Sequence, residues 1–316
     1  MWIETWAAGG YAGCVVRSGA RLGVLVLDTR FERVPGDIGS PETFRRAEWA
    51  GSAEKGDRAP VLFRTVPGAT VARVIGRQDG GLVDLFAAHA AALAAEGATA
   101  ITTSCGFMAR HQTELAARIP VPFASSALCL LGALQERYGV VGVITADSTR
   151  LTSEHFTACG AVPPDVGPLR EAPLSAGRPG AAGSADMVGA ADGATVRKGA
   201  SDEAATPGAA RSVGAYGPAG SVVAGMQGKP AFRAAILDQT APLDPERIRA
   251  EVLEVGAELI RAHPEVRALL LECTNLPPYA PALAEASGLP VFDALTLCHA
   301  LMSHSASLEG ANIDVE

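Results

Sequence analysis

Ala100-Ile-Thr-Thr-Ser-Cys105-Gly-Phe107 and Ala268-Leu-Leu-Leu-Glu-Cys273-Thr-Asn275 decide the reading of this chain, because each is the centre of the same longer pattern. An amphipathic helical stretch leads into the first from Gly81 and into the second from Pro245. A short apolar strand then ends at a cysteine, a second helix follows, and the pattern closes on Ile119-Pro-Val-Pro-Phe123 or on Leu289-Pro-Val-Phe-Asp293. The closing proline follows its cysteine by 15 residues in the first copy and by 17 in the second. A duplicated unit with one thiol per copy predicts one site with two thiols facing each other.

Working outward, Leu22-Gly-Val-Leu-Val-Leu27 is a continuous apolar run of strand length, the pattern of a strand covered on both faces. Val61 to Val66 reads as a second strand, Gly81 to Glu96 as a helix stopped by Gly97, Thr99 to Thr103 as the third strand, Met108 to Arg118 as a helix, and Val121 to Ala124 as the fourth strand. The order then recurs, with strands at Gly139 to Thr145, Ser221 to Met226, Ala268 to Leu271 and Val291 to Asp293, and with helices at Arg247 to His263 and Leu295 to Ser307. Strands alternating with helices predict an α/β protein of two similar domains, each with a parallel four-stranded sheet flanked by helices. We place the first domain at residues 1–126 plus 294–316, with the last helix returning to it, and the second at 127–293. Residues 161–220 depart from the pattern: they are dominated by Ala, Gly, Pro and Ser, with Tyr216 the one aromatic residue. Such a stretch buries too little apolar surface to offset its ordering entropy, so it reads as a mobile insertion, or as a lid that orders over a substrate.

Bulk properties narrow the function. With 34 acidic against 26 basic residues, a net charge of −8 makes nucleic acid a poor partner. No apolar run approaches the about 18 residues of a membrane span, and Met1-Trp-Ile-Glu-Thr-Trp6 lacks the basic start of a signal peptide. The six cysteines (14, 105, 129, 159, 273 and 298) include no Cys-x-x-Cys pair. A reduced, cytoplasmic protein is the expectation. His299 and His304 are spaced poorly for a metal pair on a helix, and no phosphate-binding glycine loop follows a strand, so no metal and no nucleotide cofactor is expected.

In open parallel sheets ligands sit beyond the carboxyl ends of the strands, where Cys105 and Cys273 fall, each just before a helix. Helix N-terminal amides favour anions, which predicts a stabilised thiolate at both positions. Ser104 and Gly106 beside the first, and Thr274 and Asn275 beside the second, can offer donors to a carboxylate. Ser125 and Thr145 end neighbouring strands and are further candidates. Arg30 and Arg33 are the cations nearest the first strand end and read first as solvated surface; Val34-Pro-Gly-Asp37 reads first as a turn, though it can border the cleft. Cys14, Cys129, Cys159 and Cys298 read as small core hydrophobes, and His111 as an exposed helix residue.

Thr102-Thr-Ser-Cys-Gly-Phe107 and Leu271-Glu-Cys-Thr-Asn-Leu-Pro-Pro-Tyr279 resemble the two cysteine motifs of the aspartate/glutamate racemase superfamily, which works without pyridoxal phosphate. The resemblance spans most of the chain outside 161–220. It implies two α/β domains related by a pseudo-two-fold axis, an active site in the cleft between them, no cofactor, a small carboxylate substrate and a homodimer. Carried over by position, Cys105 and Cys273 become the two acid/base thiols: one thiolate takes the Cα proton and the other thiol returns a proton on the opposite face. Asp28, with Thr29, stands where glutamate racemases have Asp-Ser, and otherwise reads as a turn cap. Amino-acid racemases of this group usually have Asn-Thr after the first cysteine and His or Glu after the second Cys-Thr. This chain has Gly106-Phe107 and Asn275 there, so the resemblance supports two-thiol chemistry more than an aspartate or glutamate substrate. The superfamily also holds maleate isomerases and arylmalonate decarboxylases. The latter keep one catalytic cysteine, so the retained pair points to a racemase or isomerase, with a maleate-type cis-trans isomerase or a malonate-type decarboxylase as the alternative enzyme. A relative that only binds a small acid, or senses oxidants through its thiols, is the non-catalytic alternative.

Overall fold

A computed structural model describes residues 19–45, 61–77, 81–164 and 220–304; residues 165–219, which make up most of the stretch read as an insertion, lie outside the described residues. Among the described residues, eight strands form two sheets. In the first, β1 (Leu22–Leu27) lies between β2 (Val61–Val66) and β3 (Ala100–Thr103), with β4 (Phe123–Ala124) outside β3. In the second, β5 (Val140–Thr145) lies between β6 (Gly220–Gly225) and β7 (Ala268–Leu271), with β8 (Val291–Phe292) outside β7. All pairings are parallel, and the order β2-β1-β3-β4 is repeated as β6-β5-β7-β8. Every residue of β1, β3 and β7 is buried, as continuous apolar runs require when helices cover both faces.

The helices are α1 (Gly81–Ala95), α2 (Gln112–Arg118), α3 (Leu131–Tyr138), α4 (Ser153–Ala158), α5 (Pro230–Phe232), α6 (Pro245–Ala262), α7 (Ala280–Ser287) and α8 (Ala294–His304). The helix expected from Met108 begins earlier, as a 3-10 turn over Gly106–His111 that runs into α2. The fourth strand of the first half is shorter than expected because Pro120 and Pro122 have no N–H to pair. Pro122 instead only accepts, from the Ile101 amide at 2.9 Å, and Pro290 does the same for Leu269 in the second half. π-helical turns at Ala72–Arg77 and Arg233–Leu237 follow the second strands of the two halves, and no sequence signal marked either.

α1 packs on the first sheet and α6 on the second. The next helices are exchanged. α3, which follows the first half's last strand, packs on β5 and β7, while α8, which follows the second half's last strand, packs on β1, β3 and β4. One hydrophobic cluster therefore holds Leu22 and Val24 of the first sheet, Val141 and Val143 of the second, and Leu297, Leu301 and Met302 of α8. Among the described residues no helix is long and apolar enough to cross a membrane.

A glycine occupies the same position in the central strand of each sheet, under its covering helix. A Cβ at Gly23 would lie 3.1 Å from Leu93 of α1, and one at Gly142 would lie 2.7 Å from Leu259 of α6 and 2.8 Å from Leu269 of β7. Both glycines let a helix approach the sheet closely, and the fit at Gly142 is tighter. Gly142→Ala is expected to lower stability by about 1–3 kcal/mol through overpacking, and Gly23→Ala by less. Urea unfolding midpoints of the two variants check the order.

Candidate active site

Cys105 and Cys273 occupy matching places. The residue before each closes the ladder to the central strand: Ser104 N–H donates to Leu25 O and Glu272 N–H to Ile144 O, both at 2.9 Å. The residue three positions after each turns back on it, Met108 N–H donating to Cys105 O at 3.1 Å and Leu276 N–H to Cys273 O at 3.0 Å. The strand ends are tied across the halves by the Thr274 hydroxyl, which donates to Ser104 O at 2.6 Å. Between them lies a narrow cavity of about 350 Å³, counting the space at its mouth. Both thiols line it, each 6% exposed. Val71 and Ile75 from the first half and Ala146 and Ile236 from the second make the apolar wall; the isoleucines come from the paired π-helical turns. A ligand larger than water must displace some of this wall. Phe31 also borders an open groove holding about 700 Å³ of space, formed by Arg30, Glu32 and residues of 235–243. The Gln239 side chain accepts from Arg30 N–H at 2.7 Å beside it.

Arg33 and Glu272 are the charged side chains on the cavity wall. The expectation that Arg33 is solvated surface is corrected: its side chain is 11% exposed, and Nη1 donates to both oxygens of Asp37 at 2.9 and 3.0 Å. Asp37, in the segment read first as a turn, also accepts from Asn275 Nδ2 at 2.6 Å and from Gly39 N–H at 2.7 Å. The cation is thus already neutralised. Glu272 is fully buried; Oε2 accepts from the Thr145 hydroxyl at 2.7 Å, while Oε1 has no hydrogen-bond partner among the described residues. Oε1 faces Gly106, where an added Cβ would lie 2.0 Å from it, so the carboxyl needs a glycine after Cys105. Burial pushes the Glu272 carboxyl up to about 7, against the opposing effect of the Thr145 hydrogen bond.

The expected stabilised thiolates are corrected. The Phe107 and Met108 amides and Arg33 do act to lower Cys105, but burial, followed by the charge of Glu272, pushes it up to about 12. Burial and Glu272 likewise raise Cys273 well above its ordinary value, against the Asn275 amide. Desolvation of a closed site outweighs a few amide dipoles. Cys273 Sγ donates to Asn275 Oδ1 at 3.6 Å.

Of the other candidates, Ser104, Gly106, Thr274 and Asn275 lie on this cavity. The Ser104 hydroxyl accepts from Leu27 N–H at 3.0 Å and from Arg33 Nη2 at 3.4 Å, which leaves its own proton to donate. Thr145 reaches the site through Glu272. Asp28 and Ser125 are not on the cavity wall: Asp28 is exposed and accepts from Gly68 N–H at 2.9 Å, while the Ser125 hydroxyl donates to Gln112 at 2.7 Å. Cys129 and Cys159, read as core, have their sulfurs 3.4 Å apart. His111, read as exposed, is half-buried. The sequence reasoning passed over Glu272. The available signal was a carboxyl directly after an all-apolar strand; for Arg33 and Asp37 it was their separation by four residues.

No family model matches the chain. By sequence it is similar to a dimethylsulfoniopropionate lyase of Durusdinium sp. clade D, at 28% identity over 87% of this chain and 72% of that protein. It is similar also to dimethylsulfoniopropionate lyases 7 and 6 of Emiliania huxleyi, at 24% and 27% identity over 89% of this chain, of which it spans 66% and 59%. Similar solved structures include an aspartate racemase of Picrophilus torridus (13% identity, 91% of this chain and 95% of that one, TM-score 0.48) and an unliganded arylmalonate decarboxylase (14%, 92% and 93%, TM-score 0.45). A glutamate racemase of Bacillus anthracis is similar too, at 12% identity over 92% of this chain and 80% of that one, with a TM-score of 0.43. The sequence relatives are thus named as lyases, and the structural neighbours as racemases and a decarboxylase.

Proposed function

We propose that this chain is an enzyme that removes a proton from a carbon next to a carboxylate, with Cys105 and Cys273 as its acid/base groups, and that the reaction ends in elimination. The observation that carries the reading is the meeting of the two thiols, from matching strand ends, on one buried cavity beside the Glu272 carboxyl. The likeness to dimethylsulfoniopropionate lyases over most of the chain supports elimination as the outcome.

For this chain the substrate would then be a small acid with a dimethylsulfonium group on the carbon β to its carboxylate. A thiolate takes the Cα proton. The electrons of the broken C–H bond form a double bond between Cα and Cβ, and the Cβ–S bond breaks with its electron pair on the departing dimethyl sulfide. Acrylate remains, and the proton captured by sulfur passes to solvent. The sulfide leaves neutral, so no acid is needed at the leaving group. The thiol must first lose its own proton, which passes to solvent before the substrate closes the cavity. The Ser104 hydroxyl, which lines the cavity, would donate to the charge developing on the substrate carboxylate.

Racemisation or epimerisation is the second reading, favoured by the second thiol: elimination needs one proton acceptor, whereas inversion needs an acid/base group on each face. Incubation with dimethylsulfoniopropionate should release dimethyl sulfide, measurable in the headspace, and Cys105→Ala or Cys273→Ala should reduce kcat/KM by about a hundredfold or more. Uptake of Cα deuterium from D2O into a chiral acid, with no sulfide released, would put inversion in its place. Full turnover in both variants would remove the thiols from the mechanism, and binding without release or exchange would leave the non-catalytic alternative.

The raised thiols make a separate prediction. In the free protein Cys105 and Cys273 should alkylate slowly near neutrality. Because Cys105 is raised to about 12, its rate should keep rising by about tenfold per pH unit past the range where an ordinary thiol levels off. Peptide mass spectrometry after timed iodoacetamide treatment reads this site by site.

A further inference from the structure

We propose that Glu272 is the specificity-determining residue of this cavity, the negative charge that receives an onium centre on the substrate, so that the site selects zwitterions carrying a carboxylate and a sulfonium or quaternary ammonium group over simple anions. This rests on the preceding reading only in taking the cavity as the site of a small carboxylate.

The argument is one of charge and desolvation. Two charged side chains line the cavity, and Arg33 is matched by Asp37, whose oxygens also take hydrogen bonds from Asn275 and Gly39. Among the described residues Glu272 has no cation as a hydrogen-bond or ion-pair partner. One oxygen is held by Thr145, and the other is buried against Gly106 with no hydrogen-bond partner among the described residues, in a side chain that lines the cavity. When ionised, it leaves the enclosure one negative charge in excess. Burying such a carboxylate is costly, and a permanent cation that needs no hydrogen bonds is a fitting partner. Methylated onium groups meet that description, since their charge is wrapped in methyl groups that pack against Val71, Ile75 and Ile236. Phe31 and Phe107 are the aromatic rings on the same wall; one face of Phe31 already carries the Arg33 guanidinium, 4.9 Å from its centroid, which leaves the other face for a second cation.

The same arrangement couples selection to pH. The ionisable groups around Glu272 are Cys105 in the turn after β3, its chain neighbour Cys273, Cys159 after α4, and the Arg33–Asp37 pair beyond β1. The thiols are neutral near pH 7 and Arg33 stays charged, so Glu272 is the group that changes there. It sits at about 7, above its ordinary value. It is protonated and neutral below that pH, so onium affinity should rise with pH through this range and then level.

The test compares two acids that differ in charge but not in shape, 3-(trimethylammonio)propanoate and 4,4-dimethylpentanoate, titrated calorimetrically into the full chain. Above Glu272's titration range the wild type should bind the ammonium compound about tenfold or more tightly than its carbon isostere, and one unit below that range the preference should shrink by most of that factor. Glu272→Gln keeps the volume and the Thr145 contact; it should abolish the preference and its pH dependence while leaving 4,4-dimethylpentanoate affinity within about threefold of wild type. An unchanged preference in Glu272→Gln, or no preference in a wild type that releases dimethyl sulfide, overturns the assignment and leaves the elimination reading standing. A Glu272-dependent preference in a protein that releases no sulfide does the reverse. If neither acid binds, the assignment falls, and sulfide release alone decides the elimination reading.

Discussion

The hydrogen bond from the Thr274 hydroxyl to Ser104 O, 2.6 Å long and buried, fixes the ends of β3 and β7 against each other. Everything at the site depends on that meeting. Each strand delivers a cysteine one residue past its last ladder bond, and the chain turns at once into a helical turn on both sides. With the strand ends tied, the thiols share one enclosure and the Glu272 carboxyl is pressed against the backbone of the opposite half. Gly106 is the counterpart of this pressure, since any side chain there would occupy the space of the carboxyl.

The enclosure has an electrostatic cost that its own groups do not cancel. Amides and a guanidinium surround Cys105, yet it is held protonated because water is excluded. The same exclusion makes a carboxylate, a thiolate or a bound charge interact strongly with whatever enters. A closed cavity with neutral thiols and a half-satisfied carboxyl is a resting arrangement whose proton distribution is left for the ligand to set.

Much of the fold was legible in the sequence because parallel strands covered on both faces must be apolar throughout. Leu22–Leu27 and Ala268–Leu271 advertise themselves, and the repeat of strand, cysteine, helix and Pro-containing strand located their partners. The strand ends were legible for the same reason, and with them Cys105, Cys273 and the polar residues beside them. What could not be read was which charges are buried. Arg33 looks like surface until Asp37 and Asn275 close around it, and the role of Glu272 depends on a glycine 166 positions earlier in the chain. The state of the thiols was misread because sequence shows the helical turn that follows a cysteine but not the absence of water around it. The π-helical turns that supply Ile75 and Ile236 carry no composition signal, since an extra residue per turn is imposed by packing.

The exchanged helices bear on how anything reaches the cavity. α3 closes the sheet of the second half and α8 that of the first, so pulling the halves apart would strip an apolar face from each at once. The molecule is clasped rather than hinged. Phe31 lines both the cavity and the outer groove, so a local swing of its ring would join the two without parting the halves. For a protein built from a doubled unit, this clasp is also a ratchet on its history: once each half closes the other, neither can be lost or inherited alone.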